Sequence, residues 1–197
     1  RGCPVDWNEK EGRYNWELVF CELYAGGNMA PYSVYGYEEA LDANGRPVPK
    51  TTGTAKASPT VNVISCTKIG QVFGGGYGAP AVLVGSPTVN INEIYGRYSK
   101  DYDGLPNSEG NYTTDGTEDR LGVIGDVFGG GNAANVVGDT YVNIATKASE
   151  SHLVNWTDAE ATPVSGVPGA NITGNVYGGG SAADVTGKTY VTVGKKN

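Results

Sequence analysis

Three consecutive glycines occur three times in this chain, each time followed by alternating β-branched residues, and in the last two copies the offset is the same. The segments VFGGGNAANVVGDTYVNI (127–144) and VYGGGSAADVTGKTYVTV (176–193) align without a gap. A third copy begins at Val72, and a degraded copy begins at Leu23. The chain is therefore interpreted as four copies of one unit. The aromatic residue before the glycines recurs about every 50 residues, a period typical of repeat architectures, at Tyr24, Phe73, Phe128 and Tyr177.

Each unit ends in a short run in which apolar and polar residues alternate, as in TYVNI (140–144). A period of two is typical of a β-strand with one buried face, so Val142 and Ile144 are predicted to point into a core. One such strand cannot bury its apolar face alone, but copies stacked about 4.8 Å apart share a dry interior. The predicted interior columns are Val89, Val142, Val191 and Ile91, Ile144, Val193.

The glycine triplets are predicted to form corners between strands, because glycine tolerates positive φ and presents no side chain. The segment 129–134 also fits the G-x-G-x-x-A pattern of dinucleotide-binding loops. That pattern has its function where a strand turns into a helix, whereas the residues that follow here have a strand pattern. The predicted corners are Gly74, Gly75, Gly76, Gly129, Gly130, Gly131, Gly178, Gly179 and Gly180.

These patterns predict an all-β fold, a parallel β-solenoid similar to a right-handed β-helix, built from four repeats of roughly 50 residues. A stack of antiparallel hairpins or a β-prism would show the same local pattern. Residues 23–197 are predicted to form the repeat domain. Its long insertions are where repeat scaffolds usually carry contacts, at 28–57, 92–121 and 145–171.

Aromatic residues are concentrated near the N-terminus, where residues 1–22 are predicted to form a cap or a docking segment. Such rings could stack on sugars, or they could close the first coil, since an open solenoid end exposes a row of unpaired hydrogen-bonding groups. The cap is the favoured interpretation. The aromatic residues considered for contacts are Trp7, Trp16, Tyr35 and Tyr37.

The acidic segment DYDGLPNSEGN (101–111) is the best metal candidate. Oxygen ligands on a flexible loop suit Ca²⁺, which takes six to eight of them, although Asp-Gly pairs are equally good turn formers. A structural Ca²⁺ ion is the one cofactor that the sequence suggests, with Asp101, Asp103, Asn107 and Glu109 as ligands. The segment LDANGRPV (41–48) predicts a hairpin turn around Asn44-Gly45.

Composition argues against several functions. The net charge is −7, and no basic cluster is present to neutralise phosphates, so nucleic acid is not expected as a partner. No apolar run approaches the roughly 20 residues that cross a bilayer. The single histidine, His152, has no partner at catalytic or metal-binding spacing, and the chain is not expected to be an enzyme.

Two features of the chain leave alternatives open. Cys3 and Cys21 could form a disulfide bond with each other, which would leave Cys66 buried and reduced. Alternatively, all three cysteines could be reduced. The last strand pattern ends within four residues of the end of the sequence, so its edge is predicted to be open. Further repeats, the N-terminal segment of a neighbouring copy, or blunting by Lys195 and Lys196 would each resolve that edge.

The unit VYGGGxxAxVxGxTxVxI resembles the glycine-rich repeats of large secreted and surface-anchored bacterial proteins, particularly those of Bacteroidales, which are often described as adhesin-like. The similarity covers residues 70–91, 122–144 and 172–194, and more weakly 23–27 with 58–63. It implies a non-enzymatic scaffold, extracellular or at the cell surface, with no catalytic residue. The expected partners are further copies, joined head-to-tail into fibres, and host or microbial surface glycans. The alternative is a carbohydrate-binding or polysaccharide-degrading β-helix protein.

Overall fold

The computed structural model describes residues 6–8, 13–15, 19–63, 66, 68–92, 122–146 and 170–194. All regular structure in these residues is β, and they contain no helix, which confirms the predicted all-β class. The strands are β1 (Asp6–Asn8), β2 (Arg13–Asn15), β3 (Val19–Tyr24), β4 (Tyr32–Ser33), β5 (Tyr37–Leu41), β6 (Pro47–Pro49), β7 (Thr60–Val63), β8 (Lys68–Phe73), β9 (Leu83–Val84), β10 (Thr88–Ile91), β11 (Val123–Phe128), β12 (Val136–Val137), β13 (Thr140–Ile144), β14 (Asn171–Ile172), β15 (Val176–Tyr177) and β16 (Thr189–Val193).

Three parallel sheets are built from corresponding strands of the four copies. We number the copies as unit 1 (19–63), unit 2 (68–91), unit 3 (123–144) and unit 4 (171–193). The first sheet has the order β14-β11-β8-β3, with β15 also paired to β11. The second has the order β12-β9-β4, and the third β16-β13-β10-β7. Every strand pair between units is parallel, so the units are not joined as antiparallel hairpins.

The register of the third sheet aligns equivalent residues of all four units. Val142 of β13 pairs with Val89 of β10 on one side and with Val191 of β16 on the other. Alternate residues along β13 are buried, because Val142 and Ile144 point into the core while Tyr141 lies on the opposite face. Burial of apolar side chains on one side of each strand is the main stabilisation that this arrangement gains.

The second sheet was not expected, since the sequence predicted a strand, a corner and a second strand in each unit. Its strands are only two residues long, and in unit 4 they are continued by a single parallel bridge between Val136 and Val185. One of them, β4, lies within the predicted insertion 28–57 and pairs with β9. Part of that segment is therefore an element of unit 1. The predicted boundary between residues 22 and 23 falls inside β3.

Two antiparallel hairpins accompany the parallel sheets. Strand β1 pairs with β2, and β5 pairs with β6. The second hairpin turns at the predicted Asn44-Gly45 position, where Gly45 has φ 72°. Asp42 accepts hydrogen bonds from the backbone N–H groups of Asn44 and Arg46, both at 2.8 Å. These bonds, first that from Arg46, hold the pKa of Asp42 below its ordinary value.

Candidate functional site

The glycine corners are set by the close approach of neighbouring units. A Cβ atom added to Gly75, the middle glycine of its triplet, would lie 2.6 Å from the backbone nitrogen of Gly131. A Cβ atom added to Gly130, the middle glycine of the next triplet, would lie 2.7 Å from the backbone nitrogen of Gly180. Real Cβ atoms do not come this close to backbone atoms. Glycine is therefore required because the backbone of the next unit lies directly against it.

The expectation that the triplet glycines have positive φ was wrong. None of the nine has a left-handed φ, and the residue two places after each triplet takes that conformation instead. This residue is Gly78 in unit 2, with φ 83°, Ala133 in unit 3, with φ 51°, and Ala182 in unit 4, with φ 50°. Met29 occupies the equivalent position in unit 1, with φ 57°. The corner thus places an ordinary side chain where glycine is usually preferred.

Backbone hydrogen bonds continue through the corners from one unit to the next. The N–H of Gly26 donates to the carbonyl of Gly75 at 3.0 Å, and the N–H of Gly75 donates to Gly130 at 3.0 Å. Gly130 donates in turn to Gly179 at 2.9 Å. The corners are followed by isolated bridges and the strands of the second sheet rather than by helices. They therefore lack the helix N-terminus that a dinucleotide loop uses to bind pyrophosphate.

Four aromatic rings, one at the end of each first-sheet strand, stack along the units. Tyr24 and Phe73 lie 4.8 Å apart between ring centroids, Phe73 and Phe128 lie 4.7 Å apart, and Phe128 and Tyr177 lie 4.8 Å apart. The interplanar angles are 8°, 5° and 15°. Each such pair contributes about 0.5–1.5 kcal/mol beyond area burial. The spacing equals that of paired strands, so the rings couple each unit to its neighbours.

The hydroxyl group of Tyr24 is held at the start of this ladder. It donates to the Glu22 carboxylate at 2.8 Å and accepts from the Asn132 amide at 3.2 Å. Burial, supported by the Glu22 charge and opposed by the Asn132 hydrogen bond, raises the pKa of Tyr24 to about 12. The Tyr24 hydroxyl therefore stays protonated far above neutral pH and acts as a structural donor.

The outward face of the third sheet carries a second ladder, made of side-chain amides. Asn143 donates from Nδ2 to Oδ1 of Asn90 at 2.9 Å, and Asn90 donates in the same way to Asn62 at 2.9 Å. Beside it, Tyr141 and Tyr190 stack with 4.9 Å between centroids and an angle of 4°. Alternation in TYVNI places Tyr141 and Asn143 opposite Val142 and Ile144, but it does not indicate that their side chains would stack or bond between units. The signal for the ladder was the recurrence of asparagine at one register position in units 1 to 3.

Two carboxylates of unit 3, those of Asp126 and Asp139, link it to neighbouring units. Asp126 accepts from the backbone N–H of Asn175 at 2.8 Å and from the Gln71 amide at 3.2 Å. These bonds, first that from Asn175, lower the pKa of Asp126. Asp139 accepts from the backbone N–H of Lys188 at 2.7 Å. Asp126 thus joins unit 3 to units 2 and 4, and Asp139 joins unit 3 to unit 4. This arrangement differs from the paired acid and base of a hydrolase.

The predicted calcium ligands Asp101, Asp103, Asn107 and Glu109 lie outside the residues that the structure describes. Within the described ranges, no group of three or more His, Cys, Asp or Glu side chains is placed to hold a metal ion. The Ca²⁺ hypothesis remains a prediction about that segment. Of the cysteines, Cys21 is exposed on β3 and Cys66 is buried, whereas Cys3 lies outside the described residues.

The four candidate contact aromatics fall into two groups. Trp7 belongs to β1, and Trp16 lies outside the described residues. Tyr35 is half-buried, and Tyr37 is 42% exposed at the start of β5, with its hydroxyl donating to the Pro31 carbonyl at 3.0 Å. The same hairpin borders an open groove of about 270 Å³, lined by Pro31, Asp42, Arg46, Pro47, Val48, Pro49, Pro80 and Val82.

Two apolar positions of unit 4 differ in exposure from their equivalents in the other units. Val191 and Val193 occupy the predicted columns by register, but they are exposed rather than buried. β16 is the last strand of its sheet, with no further strand paired to its far side among the described residues. The register therefore places both residues in the predicted columns, at the strand whose edge was predicted to be open.

Comparison of the chain with protein-family models, with curated proteins and with solved structures found no match. None of the described segments is a helix of the length and hydropathy needed to cross a membrane.

Proposed function

We propose that this chain is a non-enzymatic structural and adhesion protein, a β-solenoid scaffold that acts outside the cell or at its surface. The observation that carries the proposal is the register of the three sheets, in which each unit presents equivalent residues to the next. One residue of each aromatic column, one of each valine column and one of each corner comes from every unit. A right-handed solenoid with one coil per unit accounts for these relations.

A scaffold of this type is rigid because bonds between units run parallel to its long axis. Backbone hydrogen bonds, the aromatic ladder and the asparagine ladder all connect one unit to the next. Deformation along the axis would have to break several of them together. The material between the units, which includes residues 93–121 and 147–169, is then free to vary and to carry contacts with glycans of host or microbial surfaces.

The non-enzymatic assignment is supported by what the described polar groups do. The carboxylate of Asp126 accepts hydrogen bonds from two neighbouring units, and its lowered pKa keeps it ionised. A general acid in sugar hydrolysis needs the opposite shift, with the pKa raised toward neutrality. The amide side chains of the asparagine ladder are likewise bonded to each other.

The shape of the particle tests the scaffold proposal. Small-angle X-ray scattering on the purified chain should give an elongated profile, because the units are stacked with the spacing of paired strands. A compact, near-spherical profile of a folded chain would contradict the solenoid.

Binding assays on the same protein test the function. A glycan array should show binding that depends on the exposed aromatic hairpin, so that Tyr37→Ala weakens it while Tyr190→Ala, on another face, does not. Release of reducing ends from any polysaccharide would contradict the non-enzymatic proposal and favour the polysaccharide-degrading alternative.

A further inference from the structure

Two tyrosine rings of neighbouring units lie face to face on the outward side of the third sheet. Tyr141 of β13 pairs in register with Tyr190 of β16. Their ring centroids lie 4.9 Å apart, with an angle of 4° between the ring planes. The equivalent residues of units 1 and 2 are Thr60 and Thr88, so in this column two phenols meet only between units 3 and 4. We call Tyr141 and Tyr190 the tyrosine pair.

Little movement is needed to bring the two phenols into bonding contact. Paired strands hold the two backbones about 4.8 Å apart, so the rings extend side by side from fixed positions. Tyr190 is 41% exposed, and its ring therefore has room to turn about the side-chain bonds. A small rotation of this ring carries one of its ortho carbons against an ortho carbon of Tyr141, while both strands stay paired.

The tyrosine pair differs from the other tyrosines of the stacked units. Tyr24 and Tyr77 meet edge to face, with 5.8 Å between centroids and 65° between planes, and the ring of Tyr24 is also stacked on Phe73. Tyr177 is 45% exposed, but the ring on which it stacks is Phe128, which has no hydroxyl group to oxidise. Among the described residues, two phenols lie face to face only at the tyrosine pair.

A carboxylate lies beside the tyrosine pair and can take a proton from it. The hydroxyl group of Tyr141 donates to Oδ2 of Asp139 at 3.4 Å, while Oδ1 of Asp139 is fixed by the backbone N–H of Lys188 at 2.7 Å. Burial, together with the negative charge of Asp139, raises the pKa of Tyr141, so the phenol is protonated at neutral pH. A phenol that gives up an electron also releases its proton, and Asp139 is within reach to accept that proton.

We propose that the tyrosine pair is a site of oxidative modification, at which hydrogen peroxide and a one-electron oxidation catalyst join units 3 and 4 through a dityrosine bond. Each phenol loses one electron and its hydroxyl proton, which gives two phenoxyl radicals. The radicals couple through a carbon–carbon bond between ortho positions, and the hydrogen on each of those carbons moves to the oxygen of its ring. The two electrons and two protons released reduce one hydrogen peroxide molecule to two water molecules.

The cross-link extends the proposed scaffold function, and it rests on that function for the parallel stacking of the units. It ties neighbouring units by a covalent bond, which restricts the unfolded chain between residues 141 and 190 as a disulfide bond does. The tyrosine pair lies on the outward side of the sheet, and both of its rings belong to described strands. The proposal is therefore independent of what covers the far edge of β16.

Treatment of the dilute, purified chain with hydrogen peroxide and a haem peroxidase tests the site. Peptide mass spectrometry of the monomer fraction should find a linkage between Tyr141 and Tyr190, with the loss of two hydrogens, as the most abundant tyrosine cross-link. Dityrosine fluorescence should fall strongly in Tyr190→Phe. Tyr177→Phe is the matched control, because it removes an exposed tyrosine that is stacked on a phenylalanine, and it should keep the fluorescence. The cross-linked chain should unfold at a higher urea concentration than the untreated chain.

The same reaction in urea separates stacking from simple reactivity. The linkage between Tyr141 and Tyr190 should lose its dominance in the unfolded chain, where the rings are no longer held together. Equal abundance in folded and unfolded chains would overturn the proposal, as would a folded chain that links other tyrosines in preference. Asp139→Asn, which keeps an acceptor oxygen but removes the base, should slow the reaction of the folded chain several-fold, and an unchanged rate would contradict proton transfer to Asp139.

X-ray scattering from the untreated chain separates this proposal from the scaffold proposal. An elongated particle that forms no linkage between Tyr141 and Tyr190 retains the scaffold and refutes the modification site. A compact particle refutes the scaffold, whatever the linkage shows.

Discussion

Replacement of Gly130 by alanine is the most direct test of how the units pack. The added Cβ would lie 2.7 Å from the nitrogen and 2.8 Å from the Cα of Gly180, and 3.1 Å from the carbonyl carbon of Gly179. All three atoms belong to backbone that is hydrogen-bonded to unit 3, so none can move without shifting a whole unit. Overpacking of this kind costs about 1–3 kcal/mol, occasionally more. The lower entropy of an unfolded chain with alanine offsets about 0.4–1 kcal/mol of it.

The expected net loss in the free energy of unfolding is therefore about 0–2.6 kcal/mol, measured by urea denaturation followed by circular dichroism. Gly179→Ala is the matched control, because it is the same change at the equivalent position of unit 4, with no described atom within 4 Å. Gly179→Ala should be neutral or stabilise by up to about 1 kcal/mol. Equal losses for the two variants would refute the argument that the neighbouring unit imposes the glycine.

Three further predictions concern single residues. Ala133→Gly should raise the free energy of unfolding by up to about 1 kcal/mol, because Ala133 is exposed with φ 51°. Ala134→Gly, at a fully buried position, should lower the free energy of unfolding in the same urea experiment. Asp126 has a lowered pKa in the folded protein, so its carboxylate contributes stability above pH 3.8, its unfolded pKa, and this stability is lost as the pH falls through the folded pKa. Asp126→Asn should therefore reduce the fall in melting temperature at low pH. An unchanged dependence of the melting temperature on pH would contradict this. The pKa of Tyr24 is raised to about 12 from 10.0, so its protonated hydroxyl contributes stability below pH 10 that is lost as the pH rises through about 12. In an ultraviolet titration, the Tyr24→Phe variant should show one fewer tyrosine that ionises at high pH.

The sequence predicted well those features that a single unit carries by itself. Alternation in TYVNI indicated a strand with Val142 and Ile144 on its buried side, and the structure has that strand and that burial. Recurrence of the aromatic residue before each glycine triplet aligned the units, and the first sheet pairs them with the same register. These features are local, since a strand's two faces are defined by its own residues.

The second sheet could not be predicted in this way. Its strands have two residues each, too few for alternation to be visible, and their letters differ between units, as Tyr32-Ser33 and Leu83-Val84 show. They pair only because the longer strands on either side fix the register of the chain between them. For the same reason the predicted insertion 28–57 included β4, which belongs to the parallel sheets.

The glycine corners show how a correct location can be predicted for the wrong physical reason. Positive φ is a property of one residue, and it is the usual explanation for a conserved-looking glycine in a turn. Close backbone approach is instead a contact between residues of different units, such as Gly75 with Gly131. This contact becomes visible only when the units are stacked. The left-handed conformation occurs at Ala133 and Ala182 rather than at the triplet glycines.

The end of the array presents the same limit in its sharpest form. Ile144 and Val193 occupy equivalent positions in similar sequences, yet one is buried and the other exposed. Burial of a strand's inner face depends on what other parts of the protein cover it, which the strand's own residues do not encode. Gly179 shows the same limit, because the sequence has glycine there although a Cβ atom added to it would meet no described atom within 4 Å. We therefore expect Gly179→Ala to leave the free energy of unfolding unchanged or slightly raised, whereas Gly130→Ala lowers it, and urea denaturation of the two variants checks this difference.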